Sequence, residues 1–129
     1  MTKKIRIMVV DDIGETRKNL QRLLELEEDM IVIGEAANGE EAICSAKELQ
    51  PDIILMDINM PVLDGIQTTK RITTELSHAA IIILSVQQEQ EYIYKAMAAG
   101  AKEYLIKPPG CEELTQTIRR VYMVENNAN

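Results

Sequence analysis

Short apolar runs alternate along the chain with longer segments whose apolar residues recur at helical spacing. The runs predict five strands, over Ile5–Val10, Met30–Glu35, Ile53–Met56, Ala80–Leu84 and Tyr104–Ile106. The other segments predict five helices, over Glu15–Glu28, Gly39–Leu49 after an Asn38 N-cap, Gly65–Leu76, Glu89–Ala99 and Cys111–Val124. Strand and helix alternate five times, which predicts an α/β fold with a parallel sheet covered by helices on both faces.

The third predicted strand stands out because its apolar run, Ile53–Met56, is unbroken and ends at a carboxylate, Asp57. Such a run is typical of a strand buried on both faces. An irregular turn follows, marked by Asn59, Pro61 and the pair Asp64-Gly65. Ligands of open parallel sheets bind beyond the carboxyl ends of the strands. Asp57 is therefore the first candidate for chemistry.

The length and composition favour one folded domain. The chain has 129 residues, of which 46% are hydrophobic and 27% charged, a balance that argues against disorder. Phe and Trp are absent, so the core must consist of aliphatic residues and Met. We assign residues 3–124 to the domain and residues 125–129 to a frayed tail that could begin a linker to an output domain.

Charge and hydropathy exclude several classes of protein. The net charge is −7 and no dense basic cluster is present, which argues against direct nucleic-acid binding. No apolar run approaches the roughly 20 residues of a membrane helix, and no signal peptide is apparent. We therefore expect a cytoplasmic protein without membrane contact. Cys44 and Cys111 lack metal-ligand spacing, so we expect free thiols that are at least partly buried.

Polar residues stand at the ends of four predicted strands: Asp11 with Asp12, then Asp57, Ser85 and Lys107. In a doubly wound sheet these ends converge on one edge. Three carboxylates there would repel one another by about 4 kcal/mol per pair at ~4 Å, so the cluster needs a cation or a proton. Oxygen-only ligands favour Mg²⁺. Lys107 could bind a phosphate, Ser85 could donate a hydroxyl proton, and Asp57 could form an aspartyl phosphate.

Together these residues resemble the receiver (CheY-like) domain of two-component response regulators along essentially the whole chain. The matching segments are Val9–Asp12, Met56–Pro61 with Asp64-Gly65, Ser85, Ala98–Ala101 and Tyr104–Pro108. The resemblance implies a flavodoxin-like (βα)5 fold with strand order 2-1-3-4-5. Two features are less usual for the family: Ser85 replaces the commoner Thr, and Pro109-Gly110 follows Lys107-Pro108.

The resemblance also implies a role for each site residue. Asp57 would accept a phosphoryl group from the phosphohistidine of a sensor histidine kinase or phosphotransfer protein. Asp12, Asp57 and the backbone carbonyl of Asn59 would ligate Mg²⁺, with Asp11 acting through water. Lys107 would contact the phosphoryl group and Asp57, and the Lys107–Pro108 bond would be cis. Ser85 and Tyr104 would form the switch, and the side chains of Asn59 and Gln87 would tune dephosphorylation.

The function implied is a phosphorylation-dependent signalling switch. The fourth helix, fifth strand and fifth helix would form an output face that controls a downstream protein or output domain, with a homodimer as one option for the activated form. On this interpretation the chain is not an enzyme, except that it catalyses its own phosphoryl transfer and autodephosphorylation.

Other interpretations of the sequence are a pseudo-receiver, which is a constitutive interaction module of the same fold, and an enzyme on a similar sheet. The intact carboxylate set argues against the first. Against the second, Asp11-Asp12-Ile13-Gly14 lacks the G-x-G-x-x-G spacing of dinucleotide enzymes, a P-loop is missing, and neither Phe nor Trp is present to stack a flavin. Tyr104 could also be an ordinary aromatic residue of an edge strand.

Overall fold

The computed structural model describes residues 3–126, which form five strands and five helices in strict alternation. The strands are β1 (Ile5–Val10), β2 (Met30–Ala36), β3 (Ile53–Met56), β4 (Ala80–Ser85) and β5 (Glu103–Ile106). The helices are α1 (Gly14–Leu24), α2 (Gly39–Leu49), α3 (Gly65–Glu75), α4 (Gln90–Ala98) and α5 (Cys111–Asn126). All ten predicted elements are confirmed, with shifts at their ends.

The strands form one parallel sheet in the order β2-β1-β3-β4-β5. This confirms the predicted flavodoxin-like topology. The register places Val10 beside Met56 and Met56 beside Ile83, so that β1, β3 and β4 end close to one another. The chain passes from β1 to β2 in one direction across the sheet and from β3 to β5 in the opposite direction. The loops that follow β1 and β3 therefore separate and leave a crevice between them. The residues that follow these strands therefore meet at one edge of the sheet.

The core has two layers, one on each face of the sheet. Alternate residues of the central strands face α2, α3 and α4 on one side, among them Met8, Ile54 and Ile81. Their neighbours Ile7, Ile53 and Ile82 face α1 and α5 on the other side. All six are fully buried. Because β3 and β4 are covered on both faces, their sequences are continuous apolar runs rather than alternating ones.

Two helices end two or more residues away from the predicted position. α1 ends at Leu24 rather than Glu28, and the next apolar residue, Leu26, is 79% exposed and contributes little to the core. Glu27 and Asp29 lie in the following loop, where both accept hydrogen bonds from Arg119 of α5.

At the other end of the chain, α5 continues through Asn126. The prediction of a frayed tail is therefore wrong for Glu125 and Asn126. Glu125 pairs with Lys102 at 3.5 Å, and the Asn126 side chain donates to the Tyr122 carbonyl. The rest of that predicted tail, residues 127–129, lies outside the described residues.

Both cysteines are free, as expected, but they are exposed rather than partly buried. The buried residues of α2 are Gly39, Ala42, Ile43 and Ala46, and Cys44 lies off the stripe that they form. Cys111 is the first residue of α5 and precedes the buried face that begins at Leu114. Within residues 3–126, no helix combines the length and apolar character needed to cross a bilayer.

Candidate functional site

The polar residues predicted to converge do lie together at the carboxyl edge of the sheet. Backbone hydrogen bonds hold the strand ends in place: the Asp57 amide donates to the Val10 carbonyl at 3.0 Å, and the Lys107 amide donates to the Ser85 carbonyl at 3.0 Å. The ends of β1, β3, β4 and β5 therefore form one rigid rim. Side chains mounted on such a rim are positioned by the sheet rather than by flexible loops.

Three carboxylates form the centre of the site. Asp11, Asp12 and Asp57 each offer an oxygen atom, and these atoms lie within 4.8 Å of one another. Asp11 and Asp57 are buried, at 1% and 7% exposure, whereas Asp12 is exposed. Two of the three carboxylates thus lie inside the protein and the third faces solvent. An ion or a ligand can approach the cluster from the side of Asp12.

Lys107 provides the positive charge of the site. Its Nζ atom lies 2.6 Å from Asp11 Oδ2 and 3.5 Å from Asp57 Oδ2. The other oxygen of Asp11 accepts the Ile13 amide proton at 2.9 Å, and the other oxygen of Asp57 accepts the Ile58 amide proton at 2.8 Å. One lysine against three carboxylates leaves an excess of negative charge at the site.

The electrostatic environment raises the pKa of the Asp57 carboxyl above its ordinary value. Burial is the main cause, and the nearby Asp11 charge adds to it. The Lys107 ammonium and the hydrogen bond from Ile58 act in the opposite direction and favour the carboxylate. Asp57 is therefore a desolvated carboxyl group held between a cation and another acid, a setting typical of functional sites.

The loop from β3 to α3 supports Asp57 from behind. The Gly65 amide donates to the Ile58 carbonyl at 2.9 Å, and a Cβ atom at Gly65 would overlap the Asp57 carbonyl oxygen. Asp64 caps α3 through a reciprocal capping box with Gln67. Only glycine allows the first turn of α3 to pack this closely against the backbone of Asp57.

Ser85, Gln87 and Tyr104 form a hydrogen-bonded chain beside the carboxylates. The Gln87 amide donates to Ser85 Oγ at 3.1 Å, and the Tyr104 hydroxyl donates to the Gln87 carbonyl at 2.8 Å. Ser85 is fully buried and Tyr104 is half-buried. Burial raises the pKa of the Tyr104 phenol, and the nearby Ser85 side chain offsets part of that rise. Tyr104 is thus connected to the site rather than lying free on an edge strand.

The remaining predicted residues also lie near this edge. Asn59 is in the loop two residues after Asp57 and its side chain is exposed. The Lys107–Pro108 bond is cis, as the resemblance implied.

One neighbour of the site was missed by sequence reasoning. Arg17 Nη1 donates to the Asp11 carbonyl at 2.6 Å. An arginine six residues after Asp11 was the available signal, but a basic residue on α1 could equally face solvent. Its contact depends on how α1 packs against the ends of β1 and β2, which the local pattern does not specify.

The donor set fits a hard divalent cation. All three side chains offer carboxylate oxygen, and neither His nor Cys belongs to the group. Mg²⁺ prefers such oxygen ligands and retains several waters, which matches a cluster with an open, exposed side at Asp12. The excess negative charge is a physical reason for the site to attract a cation.

Comparison with known proteins agrees with this geometry. The sequence model of the response regulator receiver domain matches residues 7–119. The chain belongs to the response regulator receiver domain family. It is 42% identical over 115 residues to the transcriptional regulatory protein LiaR of Bacillus subtilis, covering 89% of this chain and 54% of LiaR.

Solved receiver structures share the fold over nearly the whole chain. The response regulator domain of CheB from Thermotoga maritima is 34% identical, with a TM-score of 0.86 over 93% of this chain and 97% of that domain. A chain of the CheX–CheY–BeF3–Mg²⁺ complex from Borrelia burgdorferi is 29% identical, with a TM-score of 0.87 over 93% of this chain and 90% of that chain. The chain spans a little over half the length of the first curated relatives that it matches.

Proposed function

We propose that this receiver domain is a cytoplasmic switch that accepts a phosphoryl group on Asp57. The observation that carries the proposal is the arrangement of a buried carboxylate, two further carboxylates and one lysine at the sheet edge. Asp57 Oδ1 is engaged by the Ile58 amide, whereas Oδ2 faces Lys107. Oδ2 is therefore the oxygen oriented to react.

In the proposed reaction, an Asp57 oxygen forms a bond to the phosphorus atom of a phosphohistidine, and the phosphorus–nitrogen bond breaks. The electron pair of that bond leaves with the imidazole of the donor, which is the side chain of a sensor histidine kinase or phosphotransfer protein. Hydrolysis of the resulting acyl phosphate returns Asp57 and inorganic phosphate. Positioning and charge neutralisation are the main catalytic contributions in phosphoryl transfer.

Mg²⁺ would be held by Asp12, Asp57 and the Asn59 carbonyl, with Asp11 acting through water, and it would supply neutralising charge for the phosphoryl oxygens. Lys107 contributes the second positive charge. Because Nζ lies closer to Asp11 than to Asp57, Asp11 holds the lysine at the site until phosphoryl oxygens are present. Lys107 can then bind the phosphoryl group without a change of backbone position.

The hydrogen-bonded chain of Ser85, Gln87 and Tyr104 would transmit the modification. A phosphoryl group adds negative charge and strong acceptor oxygens, which would accept the Ser85 hydroxyl proton and draw Ser85 towards the site. Movement of Ser85 disturbs its hydrogen bond with the Gln87 amide, and the Gln87 carbonyl is the acceptor for Tyr104. Ser85 and Tyr104 would thereby alter the surface formed by α4, β5 and α5, which we assign to a downstream protein or output domain. The side chains of Asn59 and Gln87, both near the site, would set the rate of dephosphorylation.

Intact-protein mass spectrometry with acetyl phosphate tests the proposal. We expect one phosphoryl adduct on the wild type in Mg²⁺, its loss with EDTA, and its loss in Asp57→Asn. Asp52→Asn is a control, since Asp52 lies before β3 at the opposite end of that strand. An adduct that persists in Asp57→Asn would contradict the assignment.

If the wild type forms no adduct, a titration with beryllofluoride and Mg²⁺ followed by NMR decides between the two functions. Chemical-shift changes at Ser85 and Tyr104 support the switch. No change at either residue supports the pseudo-receiver, which would use the same fold without phosphorylation.

A further inference from the structure

Arg17 connects α1 to the peptide that carries two of the three carboxylates. Its side chain is only 18% exposed, and Nη1 donates to the Asp11 carbonyl at 2.6 Å. That carbonyl belongs to the planar peptide unit between Asp11 and Asp12. Holding the carbonyl therefore restrains the orientation of this peptide and the direction in which the chain enters Asp12.

A second contact holds the guanidinium group in place. Arg17 Nε donates to Glu35 Oε1 at 2.6 Å, and Gln21 Nε2 donates to Glu35 Oε2 at 3.0 Å. Glu35 lies in β2, beside Val9 of β1. The hydrogen bond from Arg17 lowers the pKa of Glu35, followed by the one from Gln21. Glu35 is therefore ionised at neutral pH, and its charge balances that of Arg17.

Asp11 and Asp12 differ in how their side chains are held. The Asp11 carboxylate is fixed on both oxygens, by the Ile13 amide and by Lys107. The Asp12 side chain is exposed and makes no hydrogen bond to any residue within 3–126. Its position depends on the backbone, which is restrained after Asp12 by the bond from the Ile13 amide to Asp11 and before Asp12 by the contact from Arg17 to the Asp11–Asp12 peptide.

We propose that Arg17, held by Glu35 and Gln21, is a positioning residue that orients the Asp11–Asp12 peptide and thereby the carboxylates for a divalent cation. This inference rests on the proposed function, because it concerns Mg²⁺ binding at the same site. Arg17 touches only the backbone carbonyl there. It leaves all three carboxylates free, and its charge is neutralised by Glu35.

The sign of the effect on Mg²⁺ affinity separates positioning from simple electrostatics. Removing a positive charge beside a cation site should strengthen Mg²⁺ binding, and the unpaired Glu35 would strengthen it further. Loss of positioning should instead weaken binding. Residues that orient metal ligands typically change metal affinity by about 10- to 100-fold when they are replaced.

Isothermal titration calorimetry with Mg²⁺ at fixed ionic strength provides the test. We expect Arg17→Met to weaken Mg²⁺ binding by about tenfold. Arg17→Lys should also weaken it, although the charge is retained, because an ammonium group cannot reproduce the planar fork that reaches both partners. Arg22→Met is the matched control: Arg22 is exposed on the same helix, so its loss removes an equal charge without affecting the site.

Equal or tighter binding by Arg17→Met would overturn the inference. If thermal unfolding shows that Arg17→Met does not fold, Gln21→Ala replaces it, since this change removes one hydrogen bond to Glu35 without altering charge. We expect Gln21→Ala to weaken Mg²⁺ binding by a smaller factor than Arg17→Met does. Unchanged Mg²⁺ affinity would count against a role for the hydrogen bonds that join Gln21, Glu35 and Arg17. A wild type that does not bind Mg²⁺ refutes the proposed function itself, whereas a wild type that binds with unaffected variants refutes only the role of Arg17.

Discussion

Asp57→Asn should stabilise the protein when no cation is present. Each of the other two carboxylates has an oxygen within 4.8 Å of an Asp57 oxygen, a repulsion of about 3.5 kcal/mol per pair at an effective dielectric constant of about 20. Lys107 Nζ, 3.5 Å from Asp57 Oδ2, returns an attraction of about 5 kcal/mol on the same scale. These three charge interactions together destabilise the protein by about 2 kcal/mol, and the burial of Asp57 acts in the same direction.

Asparagine removes this charge with little change of shape, and its side-chain oxygen can still accept the Ile58 amide proton. Lys107 keeps its closer partner, Asp11. In EDTA at pH 7.5 we expect the free energy of unfolding to rise by about 2 kcal/mol, which corresponds to roughly 5–10 °C in Tm for a domain of this size. Urea and thermal unfolding followed by circular dichroism measure both quantities.

The difference between the two proteins should depend on pH. Burial and then the Asp11 charge raise the pKa of Asp57 above 3.8, so the folded protein binds this proton more tightly than the unfolded chain does. The cost of the ionised group is complete above the folded-state pKa and disappears as the pH falls towards 3.8. The advantage of Asp57→Asn should therefore decrease on acidification.

Glu48→Gln, an exposed change on α2, controls for the loss of one unit of net negative charge and should shift stability by less than about 0.5 kcal/mol. If Asp57→Asn were no more stable than Glu48→Gln in EDTA, the account of a repulsive carboxylate cluster would be refuted.

Three further predictions concern backbone strain and packing. Thr69 Oγ1 is buried without a hydrogen-bond partner among residues 3–126, so Thr69→Val should raise the free energy of unfolding in urea by about 1 kcal/mol; a loss of stability would show that the hydroxyl contributes. Val62 has a φ of 69° and is 92% exposed. Asparagine tolerates this backbone conformation, so Val62→Asn should raise the free energy of unfolding by about 1 kcal/mol in the same assay. A Val62→Asn protein no more stable than Val62→Ile would contradict backbone strain at this position. Gly100 has a φ of 114°, and a Cβ atom there would lie 2.7 Å from Thr73 Oγ1. Gly100→Ala should therefore lower the free energy of unfolding by at least about 2 kcal/mol. Unchanged stability in thermal unfolding would be inconsistent with that contact.

Much of the fold could be predicted because the strands and helices have distinct hydrophobic periods. The apolar run Ile53–Met56 is short and is typical of a strand buried on two faces, and a parallel sheet brings the carboxyl ends of its strands to one edge. This geometry places Asp11, Asp57 and Lys107 on the same edge of the sheet, and the strand order brings them close together. The strand order came from the family resemblance rather than from the pattern, and the structure confirms it.

The details that local patterns could not supply depend on contacts between distant segments. Lys107 lies nearer to Asp11 than to Asp57, and only the side-chain packing at the sheet edge determines which carboxylate it approaches. The contact of Arg17 with Glu35 joins α1 to β2 and requires the pairing of β1 with β2. The end of α1 was placed too late because the loop after Leu24 is rich in good helix formers, whereas Glu27 and Asp29 are held by Arg119 instead.

The identity of the modified residue is the most direct test of the central claim. After incubation with acetyl phosphate and Mg²⁺, borohydride reduction converts an aspartyl phosphate to homoserine, which peptide mass spectrometry locates in the chain. The account predicts homoserine at position 57 and unmodified aspartate at Asp11 and Asp12. Homoserine at position 11 or 12, with Asp57 intact, would contradict it.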